Sequence, residues 1–177
     1  MKNMDLQSQI SNKLREAGYF LGKLESVANS GQSLDGQEFQ YLLSAFLSAC
    51  YSCVDPLGNR QYRKWYQGWL DLHSIEERQV ISFILGQRRA EAHRSGAKLR
   101  SKTVFKPISE IRVEQRGHPA YGFHSFGPPG TPLTQIGIDT KFFRKGDSEI
   151  EAVEICKKFL VTITILESDF RKDHILE

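Results

Sequence analysis

Near Gly96 the spacing of apolar residues changes period, and that change does most to limit what this chain can fold into. Before it, apolar residues recur at steps of three and four. Leu6, Ile10, Leu14, Ala17, Leu21, Leu24 and Ala28 trace one stripe of an amphipathic helix over residues 4–29. Phe39, Leu42, Leu43, Phe46, Leu47, Cys50, Cys53 and Val54 trace a second. Gly31, Ser33, Asp35 and Gly36 form the turn between them, with Asp35 and Glu38 as a capping pair. Pro56 and Gly58-Asn59 end the second helix. An aromatic-rich stretch over 60–72 gives a shorter helix. Ser74 with Glu77 is a capping box that opens a fourth, stopped at Gly96 and buried through Val80, Ile81, Ile84 and Leu85.

Beyond Gly96 the period falls toward two. Thr103-Val-Phe, Ile111-Arg-Val, Tyr121-Gly-Phe-His-Ser-Phe and Ile136-Gly-Ile are separated by Gly- and Pro-rich turns, the pattern of a β-hairpin excursion with loops. Helical spacing returns at Ile150, Val153, Phe159, Leu160, Ile163, Leu166 and Phe170, behind a third capping box, Ser148 with Glu151. This closing helix also carries Ile155, Val161 and Ile165, so its apolar surface is wider than one stripe requires. Either both sides pack within the chain or one meets a partner. The expected architecture is mainly α: one domain over 1–177, with a helical core from 4–96 and 148–170 and a β-rich insertion over 98–146.

Composition fits a globular chain of 177 residues, with 40% hydrophobic and 25% charged residues and a net charge of only +3. So small a balance announces no nucleic-acid partner, and local clustering must carry that case. No signal-peptide pattern opens the chain and no apolar run reaches membrane-spanning length, which predicts a cytoplasmic protein without a membrane partner. Three cysteines, all on helical patterns, argue against a disulfide framework. Cys50-x-x-Cys53 has the spacing of a metal or redox pair, but both residues fit a core stripe and no second pair follows, so no metal site is expected.

The chemistry concentrates in Arg88-Arg89-Ala90-Glu91-Ala92-His93-Arg94, at the end of the fourth helix. Histidine titrates near neutrality and can exchange a proton with a ribose hydroxyl, while arginine offers a planar fork to a phosphate. Together they supply the parts needed for RNA cleavage without a metal or other cofactor. Arg88, Arg89, Arg94, Lys98, Arg100 and Lys102 face only one acid, Glu91, across residues 88–102, an electropositive stripe suited to substrate phosphates. The plainer reading is a solvated basic helix end, where cations favour the C-terminal dipole.

Other candidates carry less. Trp65, Tyr66 and Trp69 stand at helical spacing and read as core rather than as a stacking platform. His118 and His124 read as surface residues, His73 as a helix-boundary residue and His174 as a tail residue. Gly127-Pro-Pro-Gly-Thr-Pro is a rigid turn, because no Gly-Lys-Ser or Gly-Lys-Thr follows.

The order of these features resembles the HEPN superfamily of helical domains. The residues that carry the likeness are Phe39-Gln-Tyr-Leu-Leu-Ser-Ala-Phe-Leu-Ser-Ala, Val54-Asp-Pro-Leu, Lys64-Trp-Tyr and Arg88-Arg-Ala-Glu-Ala-His93. The likeness covers roughly residues 4–96 and, more loosely, the closing helix. It implies a HEPN-like bundle and a metal-independent endoribonuclease, toxin or defence related, in which Arg88 and His93 are the catalytic pair. It also implies a homodimer whose motif helices meet in a composite cleft, with RNA as substrate and an antitoxin or other protein as a further partner. The alternative is a non-catalytic HEPN-like module that binds RNA, a nucleotide or a protein. Helix geometry leaves the register open: at about 100° per residue Arg88 and His93 lie roughly 140° apart, whereas Arg89 and His93 share a face. A long arginine, a loosened last turn near Gly96 or a contribution across a dimer axis would each bring Arg88 to the same cleft.

Overall fold

A computed structural model describes residues 2–29, 36–93, 99–107, 135–145 and 148–175. In chain order these form α1 (Lys2–Asn29), α2 (Gly36–Val54), a 3-10 turn (Asp55–Gly58), α3 (Arg63–Leu72), α4 (Ile75–His93), β1 (Leu99–Pro107), β2 (Gln135–Lys145), β3 (Ser148–Glu151) and α5 (Ala152–Ile175). The described chain is thus mainly helical, with a small antiparallel sheet in the order β1-β2-β3 before the last helix. Asp35, Arg94, Lys98, His118, His124 and the expected strand segments at 111–113 and 121–126 lie outside the described residues.

The helical stripes read from the sequence are the buried ones. α1 packs on α2 and α5, and α4 packs on the same two helices. Phe39, Phe46, Phe159 and Phe170 are fully buried, with Leu24, Leu43, Leu47, Ile84 and Ile163 around them. Burying each such side chain contributes about 1.5–3 kcal/mol relative to exposure. Cys50, Cys53 and Cys156 are buried among them as free thiols. Loss of hydration disfavours the thiolate, so burial pushes Cys53 up to about 12 and raises Cys50 and Cys156 as well.

The capping box at α4 forms as read: the Ser74 backbone N–H and hydroxyl both donate to Glu77 Oε2, at 2.9 and 2.7 Å, and the Glu77 amide donates to Ser74 Oγ at 3.2 Å. The aromatic segment is core as expected. Tyr66 and Trp69 are buried, and the two indoles donate to α5 carboxylates, Trp65 Nε1 to Asp173 at 2.8 Å and Trp69 Nε1 to Asp169 at 3.1 Å. His73, at the α3 C-cap, stacks on Trp69 with ring centroids 3.6 Å apart.

Two expectations are corrected. Ser148 and Glu151 do not cap the closing helix; they bound β3, and α5 begins at Ala152. The reason is a cross-chain row. Leu99 pairs with Phe143 and Phe143 with Ile150, which aligns three apolar residues across the sheet, with Phe143 fully buried and Leu99 and Ile150 packed on the core. A local cap is worth about 1 kcal/mol and cannot compete with a strand ladder plus that burial. His174 is no loose tail residue either: its ring stacks on Phe170 at 4.3 Å, and Nδ1 lies 3.1 Å from the Phe170 carbonyl.

Candidate functional site

The site is built where the end of α2 meets the C-terminal part of α4. α2 carries its apolar stripe inward, and on the remaining surface α2 and the first residue of the 3-10 turn carry a second series of polar residues: Ser44, Ser48, Tyr51 and Asp55 at i, i+4, i+7 and i+11. The first three are half-buried, which is unusual for a polar row on a solvent face. At its end the Asp55 carboxylate stands one turn on from the Tyr51 phenol, near enough to act on it electrostatically as an acceptor. That negative acceptor favours the neutral phenol and raises its pKa above the usual value. The positive charges of Arg89 and then Arg88 act in the opposite direction, so both guanidinium groups lie within electrostatic reach of Tyr51.

α4 presents the two arginines differently. Arg88 is half-buried, and its Nε is enclosed without a hydrogen-bond partner among the described residues. A buried guanidinium N–H left unpaired costs free energy and points to a group that an incoming acceptor satisfies. Arg89 is exposed. α4 remains helical through His93, so the last turn is not loosened before that residue, and Arg89 shares a helix face with His93 while Arg88 stands about 140° away from it. His93 is placed by its backbone alone; its side chain lies outside the described residues.

The remaining cations are placed elsewhere. Arg100 and Lys102 project from β1 toward Glu149 of β3, Arg100 at 4.0 Å and Lys102 in closer contact. Lys102 Nζ also lies 6.0 Å from the centroid of the Phe142 ring. These two residues therefore have a sheet-stabilising partner, and their charge is partly offset by Glu149. Exposed pairs of this kind contribute about 0–1 kcal/mol. The sequence pattern assigns no role to Tyr51 and includes Asp55 only within Val54-Asp-Pro-Leu, one of the segments that carry the HEPN likeness. The signal present was the Tyr-Asp pair at i, i+4 on the face opposite the apolar stripe.

The arrangement offers two forked cations, one of them with an unsatisfied donor, within electrostatic reach of a phenol. That is a surface suited to a phosphate oxygen. Among the described residues, no three His, Cys, Asp or Glu side chains converge as metal ligands, and no helix is long and apolar enough to cross a membrane. No protein-family model, curated protein or solved structure matches this chain.

Proposed function

We propose that this chain is a metal-independent endoribonuclease of the HEPN type, toxin or defence related, acting on RNA in the cytoplasm. The observation that supports this reading best is the half-buried Arg88, whose enclosed Nε has no hydrogen-bond partner among the described residues, next to the exposed Arg89 on a helix that runs through His93. In the reaction His93 takes the proton of a ribose 2′-hydroxyl. The 2′-oxygen bonds to the adjacent phosphorus, the bond to the 5′-oxygen breaks, and that leaving oxygen takes a proton from water, to which His93 returns the one it took. The products are a 2′,3′-cyclic phosphate and a 5′-hydroxyl. Arg88 and Arg89 stabilise the charge that develops on the phosphate oxygens. Arg94 and Lys98, which follow the motif in the sequence, supply further cations for the flanking phosphates.

Cleavage of single-stranded RNA in EDTA, with product ends identified, tests the reading. His93→Ala is expected to reduce the rate about 10²–10⁴-fold, the usual share of general acid–base work. Arg89→Ala reports the helix register: a loss equal to or greater than that of Arg88→Ala follows if the His93 face is the reacting one. Undiminished cleavage by the His93 variant refutes the reading.

A second reading, a non-catalytic module that binds RNA, a nucleotide or a protein such as an antitoxin, is favoured by one observation. The regular helix through His93 keeps Arg88 and His93 on different faces of a protomer. RNA binding without cleavage by the parent chain is its expected signature.

A further inference from the structure

α5 is covered on one side and bare on the other. Ile155 and the Phe159, Ile163, Leu166 and Phe170 stripe are buried, while Val161 is 62% exposed and Ile165 39% exposed. Three contacts run along α5 in antiparallel order: Asp173 with Trp65 at 2.8 Å, Asp169 with Trp69 at 3.1 Å and Lys158 with Glu76 at 3.2 Å. They set Leu72 and Ile75, exposed by 87% and 67%, at the level of Ile165 and Val161. Val161 and Ile165, one turn apart on α5, are thus exposed apolar residues on the same helix face, with Leu72 and Ile75 exposed at the same level of the bundle, the kind of surface that marks an interaction.

The residues flanking Val161 and Ile165 on α5 identify what fits there. Glu154, Lys158, Val161, Ile165, Asp169 and Lys172 fall within about 80° of helix arc, spaced by four, three, four, four and three residues like the seam of a coiled coil. In order their characters are negative, positive, apolar, apolar, negative, positive. Laid antiparallel on a copy of itself with the two-fold axis at the level of Ile163, this series sets Glu154 against Lys172, Lys158 against Asp169 and Val161 against Ile165, each pair formed twice. A parallel alignment sets like charge on like.

We infer that α5 pairs antiparallel with α5 of a second copy of this chain through this stripe, with Leu72 and Ile75 widening the contact. Within one chain Lys158 meets Glu76, Lys172 meets Asp169 at 3.0 Å, and Glu154 meets Lys157 at 2.8 Å. The lysines of these pairs are solvent-facing and the pairs of small net value, so exchanging them for intermolecular ones costs little, while Asp169 keeps the Trp69 indole on Oδ2 and offers Oδ1, the oxygen that meets Lys172. Of the ribonuclease reading, this contact shares only the second copy. It lies at the α4 N-terminal end, away from Arg88 and Arg89, and therefore differs from the motif-helix contact that the family resemblance implies.

Sedimentation and light scattering from low micromolar to hundred-micromolar chain test it without RNA, so the result is separable from any failure of cleavage. The native chain is expected at twice 20.2 kDa, and Val161→Glu with Ile165→Glu at 20.2 kDa with an unaltered helical spectrum. Glu154→Lys is expected to weaken association by roughly ten-fold or more, and the double variant Glu154→Lys/Lys172→Glu to restore it. A monomeric native chain overturns the inference, as does a dimer that survives the glutamate pair. Equal association of the single and double charge variants overturns it too, and stands whether or not the glutamate pair folds.

Discussion

Replacing Phe143 by alanine tests whether the sheet and the helical bundle share one core. Phe143 is fully buried, sits at the centre of the Leu99–Phe143–Ile150 row and meets Phe83 edge to face, with centroids 5.5 Å apart and planes at 81°. Deleting a buried phenyl ring forfeits its transfer free energy and leaves a cavity, about 3–5 kcal/mol in well-packed sites. The loss of the aromatic pair falls inside that figure. For a chain of this size each kcal/mol moves the midpoint by about 2–4 °C, so Phe143→Ala is expected to melt roughly 6–20 °C below the parent. Circular dichroism at 222 nm follows the helices, not the strands, which makes the assay discriminating: a sheet substitution must lower the melting point of the bundle. Ser101→Ala, an exposed β1 control that loses only a solvent-facing bond from Lys141 Nζ, is expected within about 0.5 kcal/mol of the parent. A Phe143→Ala loss below about 1 kcal/mol, or a helical transition left unchanged, refutes a shared core.

Ser74→Ala removes the hydroxyl of the α4 capping box and is expected to cost about 1 kcal/mol in denaturant unfolding. It also frees the Glu77 carboxylate, which the Ser74 hydroxyl and amide hold below the usual range, and NMR titration should show that pKa rise. Asp169 is likewise held low, first by the Trp69 indole and then by Lys172. Because its folded value is depressed, its contribution is present above the ordinary aspartate range and lost as pH falls through the folded value. Asp169→Asn should therefore flatten the acid limb of stability against pH. The three thiols, all raised by burial, should stay unreactive toward a thiol reagent at pH 8 in the folded protein and titrate fully only in denaturant.

The sequence by itself determined the helices and which face of each is inward, because an apolar period of three to four residues can be buried only by a helix lying on a core. It also determined the α4 start, since the Ser74–Glu77 box involves groups three residues apart, and the burial of Cys50, Cys53, Tyr66 and Trp69. What only the tertiary structure decided involves partners distant in the chain. Ser148–Glu151 satisfies a local cap pattern, yet β2 recruits it as a strand because Ile150 completes a row begun at Leu99. Periodicity showed that α5 has more apolar surface than one stripe needs, but α1 and α4 decide which part is covered and leave Val161 and Ile165 bare. The same holds at the candidate site. Adjacent arginines look equivalent in sequence, and only the folded chain half-buries Arg88 and exposes Arg89, because burial is a property of neighbouring elements and not of the residue alone.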